Sequence, residues 1–149
     1  MTEEKVIMKG YKAFNKAPVA GGNWATLAGG SNAVLAGGNW AILAGGYGAT
    51  LAGGEFAILS GADGAILAGS DNAIIAGGSK ATLTGGYGAI ITGDAGSIAK
   101  GKKGAVMLLV ERNKENEIIN FNAVQVDGEI IKEDTFYKLE NREFVEVNK

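Results

Sequence analysis

Side chains able to do chemistry are few in this chain, and their spacing is unusual. Neither His nor Cys occurs among its 149 residues. The commonest general base, the commonest metal ligand and every thiolate site are therefore missing. Carboxylates are sparse in the middle of the chain. Asp63 and Asp71 occupy neighbouring eight-residue units, whereas Glu55 and Asp71 stand 16 residues apart. Stacked carboxylates can raise a pKa or hold a cation, but solvated turn residues are the simpler account of this pair. Tyr47 and Tyr87 fall in units of opposite parity. The most regular set is aromatic: Trp24, Trp40 and Phe56 recur at intervals of 16. Such rings form either a binding platform or hot spot or a buried corner stack closed by the N-terminal strand.

Familiar site motifs do not fit. The Gly-rich runs resemble phosphate loops only superficially, because the Lys-Ser/Thr pair is missing and no helix follows any GxGxxG. Left-handed acyltransferase helices use a six-residue period and a catalytic His, and neither is present. No enzyme activity, cofactor or metal is expected.

What positions the aromatics is a repeat. From Ala20 to Met107, eleven octads follow one another without an insertion, and their second position is always Gly. The sixth is Ala in ten octads, with Ser97 the exception; the seventh is Thr, Val or Ile throughout. The eighth is Leu, Ile or Met except at Ala99. Paired glycines every eight residues would each cost a helix about 1 kcal/mol relative to Ala, whereas at corners they serve positive φ or close approach. Short strands joined by evenly spaced Gly corners read as an all-β solenoid.

Ring spacing sets the true period. Residues 16 apart stack directly only if each coil holds two octads, so a two-faced parallel β-solenoid with 16-residue coils is expected. A triangular coil of 24 residues would scatter the rings over different sides. Eleven octads then make a flattened rod roughly 25 Å long at the inter-strand spacing. Alternation along each strand assigns the sixth and eighth positions inward and the first and seventh outward. One face would then show Ile42, Ile58, Ile74 and Ile90 in a row. Two readings stand: either a partner or the tail covers this stripe, or the assignment is off by one and the Ile form the core.

The ends differ from the middle. Residues 1 to 19 are expected to form an N-terminal strand or cap around VIMKGYKAF, residues 20 to 107 the solenoid, and residues 108 to 149 a C-terminal β cap beginning in the strand AVMLLVER. NKENE reads as a turn and IINFNAVQV as a strand; Asp127-Gly128 is a hairpin signal before EIIK. TFYKL and FVEV flank a turn at ENRE.

Bulk composition excludes several classes. A net charge of −2 with 46% hydrophobic residues argues against disorder, and 25 Gly with a single Pro argues against collagen. No basic patch points to nucleic acid. No apolar run of 18 residues points to a membrane helix, and the N-terminal stretch lacks the apolar core of a signal peptide.

The head MKGYKAFNK (Met8 to Lys16) and the tail from Leu108 to Val147, with the octads between, resemble an uncharacterised family of phage and prophage β-solenoid proteins. A Cys- and His-containing segment usual in that family between head and repeats is absent. The resemblance implies fold, phage origin and a bacterial-host cytoplasmic setting, and carries no activity. AGGYGATL and TGGYGAII are also similar to ice-nucleation octads, but the regular Thr-x-Thr row of those proteins is missing. Trimeric adhesin heads use similar octads, yet nothing here resembles their stalk or anchor.

The expected function is therefore non-enzymatic: a rigid solenoid for protein association, first as a homodimer and then with a host protein partner in an anti-defence type role. Its candidate surface residues are Trp24, Trp40, Phe56, Ile42, Ile58, Ile74 and Ile90. Ice or carbohydrate binding through the regular faces is the alternative.

Overall fold

The structure, a computed structural model, describes residues 11–13 and 18–148. It is all-β among those residues, and the expected β-solenoid is what forms. The first sheet runs through β1 (Tyr11–Ala13), β3 (Thr26–Gly29), β5 (Ile42–Ala44), β7 (Ile58–Ser60), β9 (Ile74–Gly77), β11 (Ile90–Gly93) and β13 (Val106–Arg112). The second runs through β2 (Pro18–Ala20), β4 (Val34–Ala36), β6 (Thr50–Ala52), β8 (Ile66–Ala68), β10 (Thr82–Thr84) and β12 (Ile98–Lys100). All these pairs are parallel, and each residue meets the one 16 positions on, as Ile42 meets Ile58 and Leu51 meets Leu67. The coil is thus two octads, one strand in each sheet.

Strand alternation decides the core. Every sixth-position side chain from Ala25 to Ala105 is buried, and so is every eighth from Leu27 to Met107. Each buried Leu contributes roughly 2 kcal/mol of apolar transfer, and a single layer of Leu packed on Ala fills the space between the sheets. Two exceptions to the repeat explain themselves. Ser97 is buried where Ala is the rule, and its hydroxyl donates to the Gly78 carbonyl at 2.9 Å and accepts from the Ala81 N–H at 3.1 Å. Ala99 is small because Tyr137 of the cap pairs directly with it and is itself buried.

Of the two roles the repeat offered its invariant glycines, positive φ and close approach, the second-position glycines take only close approach. Left-handed φ falls instead on the fifth position: Trp24 (67°), Asn32 (60°), Trp40 (64°), Gly48 (67°), Phe56 (59°) and so on up the rod. The third-position carbonyl accepts the sixth-position N–H, as Gly22 does from Ala25 at 3.3 Å. The fifth residue is therefore the third of four in a turn of type II character. Second-position Gly has a steric reason: a Cβ on Gly61 would lie 2.6 Å from the Ala65 Cβ and 3.0 Å from Leu67 Cδ2.

The two sheets are closed by antiparallel strands. β14 (Ile118–Gln125) pairs with β13 through the NKENE turn, and β15 (Tyr137–Glu140) joins β12 and pairs with β16 (Glu143–Glu146). No hairpin forms at Asp127-Gly128, and EIIK is not a strand. The Asp127 carboxylate accepts the N–H groups of Glu129 (2.9 Å) and Ile131 (3.0 Å), which curls the segment into a loop instead. Val126, just before it, is buried and bonds through its backbone to Gly104 and Ala105 at the end of the rod. Most of VIMKGYKAF lies outside the described residues; Tyr11–Ala13 within it is a strand parallel to β3.

Candidate apolar face and aromatic ladder

Fifth-position residues of alternate octads share one edge of the rod, where the chain enters the first sheet. Here Trp24 and Trp40 stack with ring centroids 5.1 Å apart and planes 5° apart, and Trp40 and Phe56 at 4.4 Å and 5°. The rings are exposed, at 61, 45 and 41%, so the alternative of a buried corner stack does not hold. Stacking turns their faces toward one another and their edges toward solvent. A sugar ring stacks on an open aromatic face, and a ladder of this kind offers few.

The ladder is not placed for backbone economy. A residue with a side chain costs roughly 1–2 kcal/mol in the left-handed region, and Gly or Asn occupies the same position at Asn32, Gly48, Gly64 and Asn72. Each ring pair returns only about 0.5–1.5 kcal/mol. Strain and stacking nearly cancel, which leaves stability as a poor reason for three exposed aromatics.

Two residues beyond the fifth position, past an inward Ala, stands the seventh: Thr26 beyond Trp24, Ile42 and Ile58 beyond Trp40 and Phe56, and Ile74 and Ile90 beyond Asn72 and Gly88. Ile42, Ile58, Ile74 and Ile90 are 42–49% exposed and pair in register with one another. The stripe points outward, and the core alternative is excluded. Beside it, two residues further along each strand, runs a furrow of Ala28, Ala44, Ser60, Ala76 and Thr92. Neither row carries a charge. The second sheet differs: its outer rows mix Val34, Thr50, Ile66 and Thr82, hold one Thr-x-Thr pair at Thr82 and Thr84, and end at Lys100, which sits 4.7 Å over the Phe136 ring.

Two of the three carboxylates singled out by spacing, Asp63 and Asp71, have structural work. Asp63 Oδ1 accepts the N–H of Ser79 and Asp71 Oδ1 that of Tyr87, both at 2.9 Å and both one coil on. Asn23 and Asn39 do the same for Asn39 and Glu55. Tyr47 and Tyr87 are exposed, on opposite edges. Among the described residues, no group of three acidic residues is gathered so as to hold a metal ion.

Sequence reasoning missed the ion pair that braces the cap. Arg112 clamps Asp94 with Nε–Oδ1 at 2.6 Å and Nη2–Oδ2 at 3.0 Å. Hydrogen bonding from Arg112 outweighs desolvation and holds the Asp94 carboxyl below its usual range. Glu111 is raised by desolvation but brought lower overall by hydrogen bonds from Asn120 and the Asn141 and Arg142 N–H groups. Those bonds tie one cap hairpin to the other across the end of the rod.

No family model, curated protein or solved structure matches this chain.

Proposed function

We propose that this protein is a non-enzymatic, phage- or prophage-derived solenoid whose first sheet presents its outer face, with the aromatic ladder at its margin, for protein association. One observation carries the reading: the seventh- and first-position columns of this face point outward without a charge, and strained, exposed rings adjoin them at one margin. Contiguous apolar surface of this extent marks an interaction site in a soluble protein, and Trp is the residue most enriched among binding hot spots. A rigid rod also meets a partner without a large ordering cost. Resemblance of the head and tail to the phage family supports a partner among bacterial host proteins, in an anti-defence type role in the cytoplasm, and a second copy of the chain is the other partner.

Immobilised wild-type protein and the Ile58→Lys/Ile74→Lys variant test this side by side. Both changed residues are exposed, so the variant should fold with an unchanged melting temperature. Proteins retained by the wild type and lost by the variant are the expected result. Identical retention by the two, with the wild type monomeric, would overturn the reading.

A further inference from the structure

Across the middle coils of the first sheet, around β5 and β7, the outward side chains fall in one order of size. Trp40 stands as a wall just before β5, which rises at Ile42 and drops at Ala44, with Gly46 beyond it; Phe56, Ile58, Ser60 and Ala62 repeat the order around β7. The next two coils keep Ile74 beside Ala76 and Ile90 beside Thr92 without a ring, and the second of them ends at Asp94, bound by Arg112. From Ile42 to Ala76 the larger residues therefore lie on one side of the face and the smaller on the other, at a constant separation of two residues, about 7 Å along the strand. Rungs repeat about every 4.8 Å up the rod. Such a surface is complementary to its own copy under one particular operation.

Resting on the association reading above, we infer that the occupant of this face is a second copy of the chain, lying alongside the first, with both rods pointing the same way. A two-fold axis parallel to the rod, midway between the seventh-position and first-position columns, reverses the order along every strand while keeping each rung at its own level. Ile58 then faces Ser60 of the second copy, Ile74 faces Ala76, and Trp40 faces Gly46. Every ridge enters a furrow, reciprocally, as an isologous interface requires. The other two-fold, with the rods antiparallel, sets the Ile column on the Ile column and leaves both furrows empty, which forfeits packing.

Charge and area agree. Neither column holds an ionisable side chain, so self-pairing opposes no like charges. Taking about 200 Å² for a fully exposed large side chain, the exposed fractions of the three rings and four Ile come to roughly 650 Å². With the smaller residues of the furrow, that approaches the ~800 Å² each partner gives to a standard interface. The second sheet also sets a larger column beside a small one (Ala36, Ala52, Ala68), but Thr50 and Thr82 interrupt its ridge, Asn32, Gly48, Gly64 and Lys80 replace the rings at its margin, and its small column ends at Lys100.

The chain has no Cys, so two single variants, Ile58→Cys and Ser60→Cys, give a clean test. Mixed and gently oxidised, they are expected to form the mixed disulfide in excess over either self-disulfide, doubling the 15.2 kDa band on a non-reducing gel. Adding Ile74→Lys to both should abolish the cross-link. Predominant self-disulfide of Ile58→Cys would overturn the parallel register in favour of antiparallel rods. No cross-link, from a wild-type protein that sediments as a monomer, would overturn self-pairing altogether. If that monomer still retains proteins that Ile58→Lys/Ile74→Lys loses, the association reading stands without it; if it retains none, both fall.

Discussion

Asn39 Oδ1 accepts the backbone N–H of Glu55, one coil further on, at 2.9 Å. The same oxygen occupies the space into which a Cβ on the preceding residue, Gly54, would project. Gly38, Gly78 and Gly86 stand in the same relation to Asn23, Asp63 and Asp71. Third positions that do carry a side chain, Ala62, Ser70, Asp94 and Lys102, come one coil after Tyr47, Glu55, Ser79 and Tyr87, none of which sends an Asn or Asp oxygen upward. Where Ser70 and Asp94 replace Gly, the backbone bond to the coil below lengthens to 3.4 and 3.3 Å, against 3.0 Å at Gly38 and Gly54. Two positions 15 residues apart are thus coupled by one oxygen atom.

That coupling is measurable. Gly54→Ser is expected to cost about 2 kcal/mol by overpacking, and Asn39→Ala about 1 kcal/mol by removing a hydrogen bond. The double variant should be less destabilised than the sum by at least about 0.5 kcal/mol. Urea denaturation of the four proteins decides it, and strict additivity would show that the oxygen is not what excludes the side chain.

Neighbouring glycines should respond in opposite ways. A Cβ on Gly21 would stand 2.5 Å from the Ala25 Cβ in the core, whereas one on Gly22 meets nothing within 4 Å. Gly21→Ala is expected to cost about 2 kcal/mol or more. Gly22→Ala should be neutral or stabilise by a few tenths of a kcal/mol, through the unfolded chain. Equal losses in melting temperature would contradict the steric account of the second position.

The ladder should be dispensable for folding. Trp40→Asn relieves left-handed strain of roughly 1 kcal/mol and loses two ring contacts of about 0.5–1.5 kcal/mol each. Stability is expected to move by no more than about 1–2 kcal/mol, while association weakens. Trp40→Val keeps the positive φ and loses the stack, so it should be the less stable variant. Thermal denaturation ranks the two.

The Asp94–Arg112 clamp makes the cap acid-sensitive. Asp94 has a folded-state pKa below its unfolded value. The pair's stabilisation is therefore complete above about pH 4, the unfolded-state range for Asp, and is lost as pH falls through the lower folded value. Asp94→Asn should lower stability at neutral pH by about 1 kcal/mol or less, since the pair is partly exposed. It should also flatten the decline below pH 4. An unchanged acid profile would place the titrating group elsewhere.

Much of this architecture is legible in the residues. Recurrence of Trp24, Trp40 and Phe56 at 16 gives the coil, and the small sixth and apolar eighth positions give the inward rows, because a strand alternates strictly and one slip would bury the wrong set. The left-handed corner was also written, in Asn32, Gly48, Gly64, Asn72 and Gly88 at position five. Two Trp and a Phe obscured it, and the more conspicuous Gly pair drew the role of corner. Less was legible at the cap. Asp127-Gly128 has hairpin chemistry, but the Asp127 carboxylate is spent on its own loop. Tyr137 over Ala99 and Arg112 on Asp94 are contacts that only closure of the rod end brings together. Of the surface, the rows themselves could be read; the charge-free join between ladder, ridge and furrow needed the coil in three dimensions.

Sedimentation equilibrium over a wide concentration range tests most directly whether the first-sheet faces of two copies meet. The wild-type chain should approach twice its 15.2 kDa mass at high micromolar concentration, while Ile58→Lys/Ile74→Lys stays at 15.2 kDa with an unchanged melting temperature. A wild-type protein that remains at 15.2 kDa throughout, or a dimer that the two Lys leave intact, would contradict it.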